Sequence, residues 1–132
     1  QGADMVGLGV ASFGHINGVH VQNFDTWEAY STKVREGALP LSRAYRPDPE
    51  ERLIRELVLQ LKLGRIRPAY FADKYGVDIL RRFERPLGSL RENGFLAEAN
   101  SEMVALTRAG LLRVDSLLPR FFQPEHAGIR YT

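Results

Sequence analysis

The chain has 132 residues, of which 44% are apolar and 10% aromatic, which suffices for one ordinary hydrophobic core but not for a complete barrel enzyme. Its formal net charge is only +2 and basic residues are interleaved with acidic ones, so the pattern does not favour a strong nucleic-acid-binding field. The absence of cysteine excludes disulfides, thiolate zinc sites and a cysteine-held iron–sulfur cluster in these residues. No long apolar run indicates a membrane-spanning helix and no signal-peptide pattern indicates export, so a cytoplasmic location is expected.

Residues 1–23 differ in composition from the remainder, being rich in glycine and β-branched residues, whereas later segments show helical periodicity. Residues 5–10 predict one short strand, and a loop is predicted to follow through Asn17 and Gly18. A lone strand leaves backbone groups unpaired. We therefore expect it to join strands outside this chain or to pair with a later strand.

Two helices are predicted next from their start signals. Asp25, with Glu28 three positions later, indicates a helix that ends at Gly37. Asp48 followed by Pro49 indicates the start of a longer helix. Its apolar residues form one stripe, made of Leu53, Ile54, Leu57, Val58 and Leu61.

Two further helices are predicted from their terminal residues. A short one covers residues 68–75 and ends at Gly76. Asp78 caps the next, which runs to residues 93–94, and Pro86 is expected to bend or split it. Its inward-facing side chains are Ile79, Phe83, Leu87 and Leu90.

A small β-hairpin is predicted from two apolar runs, residues 95–98 and 103–106. Thr107 then caps a final helix, and residues 123–132 are expected to be extended. The core-facing residues of that helix are Leu111, Leu112, Leu117, Leu118, Phe121 and Phe122. Helices followed by a hairpin are typical of a winged helix. The sequence therefore predicts a mainly α fold of the α+β class, with residues 24–132 as a winged-helix-like domain.

Motifs over nearly the whole chain form a recognisable pattern. Residues 7–13 read GLGVASF and precede the pairs Asn17-Gly18 and Gln22-Asn23, residues 37–40 read GALP before Arg43, and residues 106–110 read LTRAG. These segments resemble the C-terminal part of the oxygen-independent coproporphyrinogen III oxidase family, whose members are radical S-adenosylmethionine (SAM) proteins.

That resemblance implies an architecture and a chemistry. Residues 1–23 would be the remnant last strand and loop of a (β/α) barrel, and residues 24–132 would cover the open end of that barrel. The full-length protein would use a [4Fe–4S] cluster, held by a Cys-x3-Cys-x2-Cys loop, and SAM to act on a porphyrinogen propionate. Because this chain has no cysteine, the resemblance implies neither a bound cofactor nor a catalytic centre here. It also implies that the chain's partner is its own N-terminal radical SAM barrel.

The resemblance also assigns candidate site residues, each with a structural alternative such as a strand kink, core packing or helix capping. The cofactor-binding candidates are Gly7, Gly9, Ser12 and Phe13. The candidates for binding a tetrapyrrole-like substrate are His15, His20, Gln22, Asn23 and Arg43. No metal-ligand set is predicted, because His15 and His20 lie five positions apart in a predicted loop without an evident third ligand.

Two alternative functions stay open. His15 and His20 are compatible with a haem-binding chaperone or haem-breakdown relative of the same family. A nucleic-acid-binding winged helix is the other alternative, although acidic residues lie among the basic ones that would contact phosphates. Those basic residues are Arg81, Arg82, Arg85 and Arg91.

Overall fold

A computed structural model describes residues 3–122, and the chain divides into two compact units, Gln1–Arg52 and Leu53–Thr132. Helices and two small antiparallel sheets give a mixed α+β fold, which confirms the predicted class. The predicted domain boundary after Asn23 falls inside the first unit, where a strand ends. The segment expected to be extended, residues 123–132, lies outside the described residues.

The first unit is built around a three-stranded antiparallel sheet. Strands β1 (Phe13–Ile16) and β2 (Val19–Asn23) form a hairpin. Helix α1 (Trp27–Arg35) follows, and β3 (Leu41–Tyr45) then pairs with the free edge of β2. The strand order β1-β2-β3 is the chain order. This sheet carries most of the candidate site residues.

The strand predicted over residues 5–10 is wrong, and so is the loop predicted after it. Residues 5–10 contribute only an isolated bridge between Met5 and His15. Asn17 and Gly18 instead turn the hairpin, with φ angles of 47° and 76°. Positive φ at both central residues is what a type I′ turn requires, and an Asn-Gly pair is its usual signal.

The second unit is mainly helical. Helix α2 (Pro49–Lys62) starts before the unit boundary, and the unit continues with α3 (Pro68–Tyr75), α4 (Ile79–Arg82), α5 (Glu84–Glu92), α6 (Arg108–Leu112), α7 (Val114–Leu117) and a 3₁₀ turn (Leu118–Phe121). Among residues 3–122, no helix combines the length and the hydropathy that crossing a membrane requires.

A second small sheet completes this unit. The predicted hairpin is confirmed as β5 (Leu96–Ala99) and β6 (Val104–Leu106). A two-residue strand, β4 (Arg65–Ile66), pairs with β6 and had not been predicted. The resulting strand order is β4-β6-β5.

Capping side chains place several helix starts where the sequence predicted them. The amide N–H of Glu51 donates to Asp48 at 2.8 Å, and its carboxylate accepts from the Asp48 N–H at 2.7 Å, so α2 begins with a capping box. Asp78 accepts from the amides of Leu80 and Arg81 at the start of α4. The cap predicted at Asp25 is wrong, because α1 begins after residue 26 without a side-chain cap.

Two of the predicted helices are broken into shorter ones. The predicted helix from Asp78 is split at Phe83 into α4 and α5, three residues before Pro86, whose ring cannot continue the hydrogen-bond ladder. The predicted final helix is divided into α6, α7 and the 3₁₀ turn. Leu111 and Leu112 are 44% and 79% exposed, so their predicted place in the core is wrong.

The buried aliphatic and aromatic core, as far as the structure describes it, lies between Leu53 and Phe121. All five residues of the predicted α2 stripe belong to it, as do the four predicted after Asp78. Its best-buried members are Leu53, Leu57, Leu61, Phe71, Ile79, Leu90 and Val104. The first unit differs sharply, because many of its large apolar side chains face solvent. Val6, Leu8 and Leu39 are 67%, 85% and 77% exposed.

Candidate functional site

Strand register in the first unit brings distant candidate residues onto one face of the β1-β2-β3 sheet. Directly opposed residues of neighbouring strands share a face, as do residues two apart in one strand. Gln22 is opposed to Phe13 on one side and to Arg43 on the other, and His20 is opposed to His15 and to Tyr45 in the same way. We call this surface the polar sheet face; it consists of Phe13, His15, His20, Gln22, Arg43 and Tyr45.

Hydrogen bonds hold the polar side chains of this face in place. The Arg43 Nε donates to the Gln22 Oε1 at 2.6 Å. The Tyr45 hydroxyl donates to the Glu51 carboxylate at 2.5 Å. Arg43 is exposed and Phe13 is 48% exposed, so a cation and an aromatic ring both meet solvent on this face. A planar ligand with carboxylates matches that combination of groups.

His15 and His20 contact each other across the hairpin. Their ring centroids are 4.7 Å apart with the planes inclined by 45°. Both backbone hydrogen bonds of His15 go to Met5, at 2.7 and 2.8 Å, so it forms a non-hydrogen-bonded pair with His20, the type with the closest side chains. The His15 Nδ1 is buried and makes no hydrogen bond within the described part of the chain.

Asn23 is buried and ties the loop before β1 to the sheet. Its Nδ2 donates to the carbonyl oxygens of Gly7 at 3.1 Å and Gly9 at 2.9 Å. Its side chain therefore holds the chain's own backbone, and the alternative that it caps the following helix is wrong, since Thr26 is the residue preceding α1. A role of Asn23 in binding substrate stays a prediction.

The cofactor-binding candidates also contact other residues of this chain. A Cβ atom at Gly7 would overlap the carbonyl of Phe13, so glycine is required there for backbone packing. Gly9 has a φ of 103°, and its N–H donates to the Tyr30 hydroxyl at 3.1 Å. The Ser12 Oγ donates to a carbonyl four residues earlier at 2.7 Å. Binding of a cofactor by these residues stays a prediction.

We expect Asn23→Ala to release the loop that contains Gly7 and Gly9. Two carbonyl groups would lose their shared donor, at a cost of about 1–3 kcal/mol. Amide hydrogen exchange measured by NMR should then accelerate at Ala11, whose N–H donates to the Phe24 carbonyl beside this loop. Asn93→Ala, which removes one exposed hydrogen bond in the second unit, is the control. Unchanged exchange at Ala11 would contradict this role of Asn23.

The opposite side of the sheet forms a shallow apolar pocket. Its volume is about 150 Å³. Apolar side chains from the sheet, from α1 and from the flanking loops line it, including Val6, Leu8, Ile16, Val34, Leu39 and Leu41. The two faces of one sheet thus differ in chemistry, one polar and aromatic, the other aliphatic.

A buried polar cluster in the second unit escaped the sequence analysis. Glu56 lies on the buried face of α2 with only 6% of its surface exposed. Its carboxylate accepts hydrogen bonds from the Tyr70 and Tyr75 hydroxyls and from the Lys74 Nζ at 2.8 Å. Burial acts to raise the pKa of Glu56, but the hydrogen bonds from Lys74, Tyr70 and Tyr75 outweigh it and lower that pKa to about 2.

The arginines of the nucleic-acid alternative are exposed in the second unit. Arg81, Arg82, Arg85 and Arg91 all meet solvent, and Arg91 donates to the Ala99 carbonyl of β5 at 3.2 Å. Glu84 and Glu92 are exposed among them, as the sequence indicated. In the described part of the chain, no group of three histidine, cysteine, aspartate or glutamate side chains is placed to hold a metal ion.

Comparison with known proteins gives one informative likeness. No protein-family model matches the chain, and no curated protein matches it. Coproporphyrinogen III oxidase (HemN) from Escherichia coli, a radical SAM enzyme, superimposes with a TM-score of 0.76 at 19% identity, over 89% of this chain and 28% of that protein. The resemblance predicted from the motifs is therefore confirmed in three dimensions: the chain has the fold of a segment of coproporphyrinogen III oxidase and spans little more than a quarter of its length.

Proposed function

We propose that this chain is the C-terminal part of a radical SAM oxidoreductase related to coproporphyrinogen III oxidase and acting in porphyrin or haem metabolism. The observation that carries the proposal is the fold shared with HemN over 89% of the chain. Since that likeness covers only 28% of HemN, the radical SAM barrel would be supplied by the remainder of the full-length protein.

The radical chemistry belongs to that barrel. This chain offers no thiolate for a [4Fe–4S] cluster, so its donor set does not fit that group and no step of the reaction is assigned to it. Its proposed task is to cover the open end of the barrel, to exclude water and to position the substrate. The exposed apolar residues of the first unit support this, because the barrel would cover them.

The second unit supports a winged-helix interpretation. Strand β4 follows α2, α3 to α5 come next, and the β5-β6 hairpin closes a sheet with β4. This order of elements is that of a winged helix in which the hairpin is the wing. We propose that this unit helps to cover the barrel and does not bind nucleic acid, because acidic side chains lie among its exposed arginines.

The polar sheet face is the proposed contact for a tetrapyrrole-like substrate. Phe13 offers a partly exposed ring for stacking, and the exposed guanidinium of Arg43 suits a propionate. Gln22 orients that guanidinium through its 2.6 Å hydrogen bond. On this assignment, Arg43 binds a carboxylate and the aromatic residues bind the ring system.

Haem binding is a second candidate, favoured by the facing His15 and His20 rings. Rings in direct contact leave no room for a porphyrin plane between them, so the pair cannot supply both axial ligands of one haem. On this proposal, at most one of the two imidazoles binds the iron.

We expect Arg43→Ala to weaken the binding of coproporphyrin III to this chain about tenfold, as the loss of one charge-assisted contact implies. Quenching of porphyrin fluorescence measures the affinity. Arg35→Ala, which removes an exposed arginine at the end of α1, is the charge-matched control and should bind normally. Equal weakening in both variants would show that the loss of affinity comes from the change in net charge, and would contradict the role of Arg43.

The radical SAM assignment has its own test. The coding sequence upstream of this chain should contain Cys-x3-Cys-x2-Cys within a few hundred residues. Finding an unrelated domain there instead would overturn the assignment.

A further inference from the structure

We infer that His15 and His20 together form a binding site for one divalent transition-metal ion of the Zn²⁺, Ni²⁺ and Cu²⁺ class. This inference goes beyond the proposed function and does not depend on it. Imidazole nitrogen is a preferred ligand for these ions, and a pair of imidazoles on one rigid support chelates more strongly than either alone.

The hairpin provides that rigid support. The type I′ turn at Asn17 and Gly18 fixes the register, and β1 is held by the Met5 bridge on one edge and by β2 on the other. His15 and His20 therefore start from neighbouring backbone positions in the pair type that brings side chains closest. Both side chains are half-buried, so little rotamer freedom would be lost on binding an ion.

The distances suit one ion held between the two rings. Nitrogen–metal bonds of about 2.0–2.1 Å put two ligating nitrogens roughly 3 Å apart. Ring centroids 4.7 Å apart reach that separation with small side-chain rotations. The His15 Nδ1, buried without a hydrogen bond in the described residues, is a nitrogen that coordination would satisfy.

Two imidazole ligands alone leave a transition-metal ion with open coordination positions. Tyr45 is next to His20 in the same row of the sheet, but its hydroxyl donates to Glu51. With two protein ligands, the remaining positions would be filled by water or by a carboxylate of a bound molecule. An open site of this kind faces the same surface as Arg43.

A calorimetric titration of the 132-residue chain with Ni²⁺ alone tests the inference. We expect one ion per chain, and we expect His15→Ala and His20→Ala each to weaken binding by roughly tenfold or more, with no saturable binding left in the double variant. His126→Ala is the control, because it removes the third histidine of the chain, and it should bind as the unaltered protein does.

A spectroscopic measurement on the unaltered chain makes the test independent of how the variants fold. The electron paramagnetic resonance spectrum of bound Cu²⁺ should show two equatorial nitrogen ligands. One nitrogen, no saturable binding, or loss of binding in His126→Ala alone would each overturn the inference.

Discussion

Replacing Glu56 with alanine should lower the free energy of unfolding by about 3 kcal/mol. Tyr70, Lys74 and Tyr75 would lose the acceptor that they share, and two of these three groups are partly buried hydroxyls. Urea denaturation followed by circular dichroism measures the loss. Glu92→Ala, an exposed glutamate at the end of α5, is the matched control and should change stability by less than about 0.5 kcal/mol.

The same cluster predicts how stability depends on pH. The pKa of Glu56 is lowered from 4.5 to about 2 in the folded chain, so its contribution is complete above pH 4.5 and is lost as the pH falls towards 2. The unaltered chain should therefore lose about 2–3 kcal/mol more than Glu56→Gln between pH 5 and pH 2. Parallel stability curves for the two proteins would show that the carboxylate is not held by these donors.

Gly110→Ala should destabilise the second unit by about 1–3 kcal/mol, although alanine normally has a higher helix propensity than glycine. A Cβ atom there would overlap the carbonyl of Phe95, and that carbonyl cannot move freely because it accepts from the Thr107 N–H at 2.9 Å. Thermal denaturation measures the change.

Gly88 provides the matched comparison for Gly110. It lies within α5, and a Cβ atom added there would meet no atom within 4 Å. Gly88→Ala should therefore stabilise the chain by up to about 1 kcal/mol, the ordinary helix propensity difference. The explanation by steric overlap requires opposite signs for the two substitutions, so two changes of the same sign would refute it.

Several helix ends were predictable because their signals are local. Asp48 with Glu51, Asp78 and Thr107 each bind amides of the next turn, and Gly76 adopts the left-handed conformation that ends α3. Such contacts span three or four residues and can be read from spacing alone. The short strand β4 has no such signal, since it exists only by pairing with β6, about forty residues later.

The first unit was predicted poorly for two physical reasons. The Asn17-Gly18 pair was assigned to a loop although its preference for positive φ favours a hairpin turn. Strand β3 gave no alternating pattern, because all five of its residues are exposed in this chain. A strand without a buried face of its own cannot be recognised by hydrophobic periodicity.

Five of the six residues of the polar sheet face are candidates from the sequence, but the sequence did not predict that they share a face. Strand register alone, which residue spacing does not reveal, puts Phe13, His15, His20, Gln22 and Arg43 on one face. Glu56 was missed because it sits inside an apolar helical stripe while its partners Tyr70, Lys74 and Tyr75 belong to the next helix. The only signal in the sequence was a glutamate at a position expected to be buried, and that signal does not predict which side chains would bind it.

Because Val6, Leu8 and Leu39 are exposed to solvent, the stability of the first unit depends on whether another surface binds to it and covers them. Burying such a side chain contributes about 1.5–3 kcal/mol, so any surface that covers these three binds the folded unit in preference to the unfolded one. By mass action, a covering surface present at 100 times its dissociation constant adds about 2.7 kcal/mol to the stability of that unit. The melting temperature of the sheet is therefore not a constant of this chain, because it rises with the concentration of whatever covers the sheet.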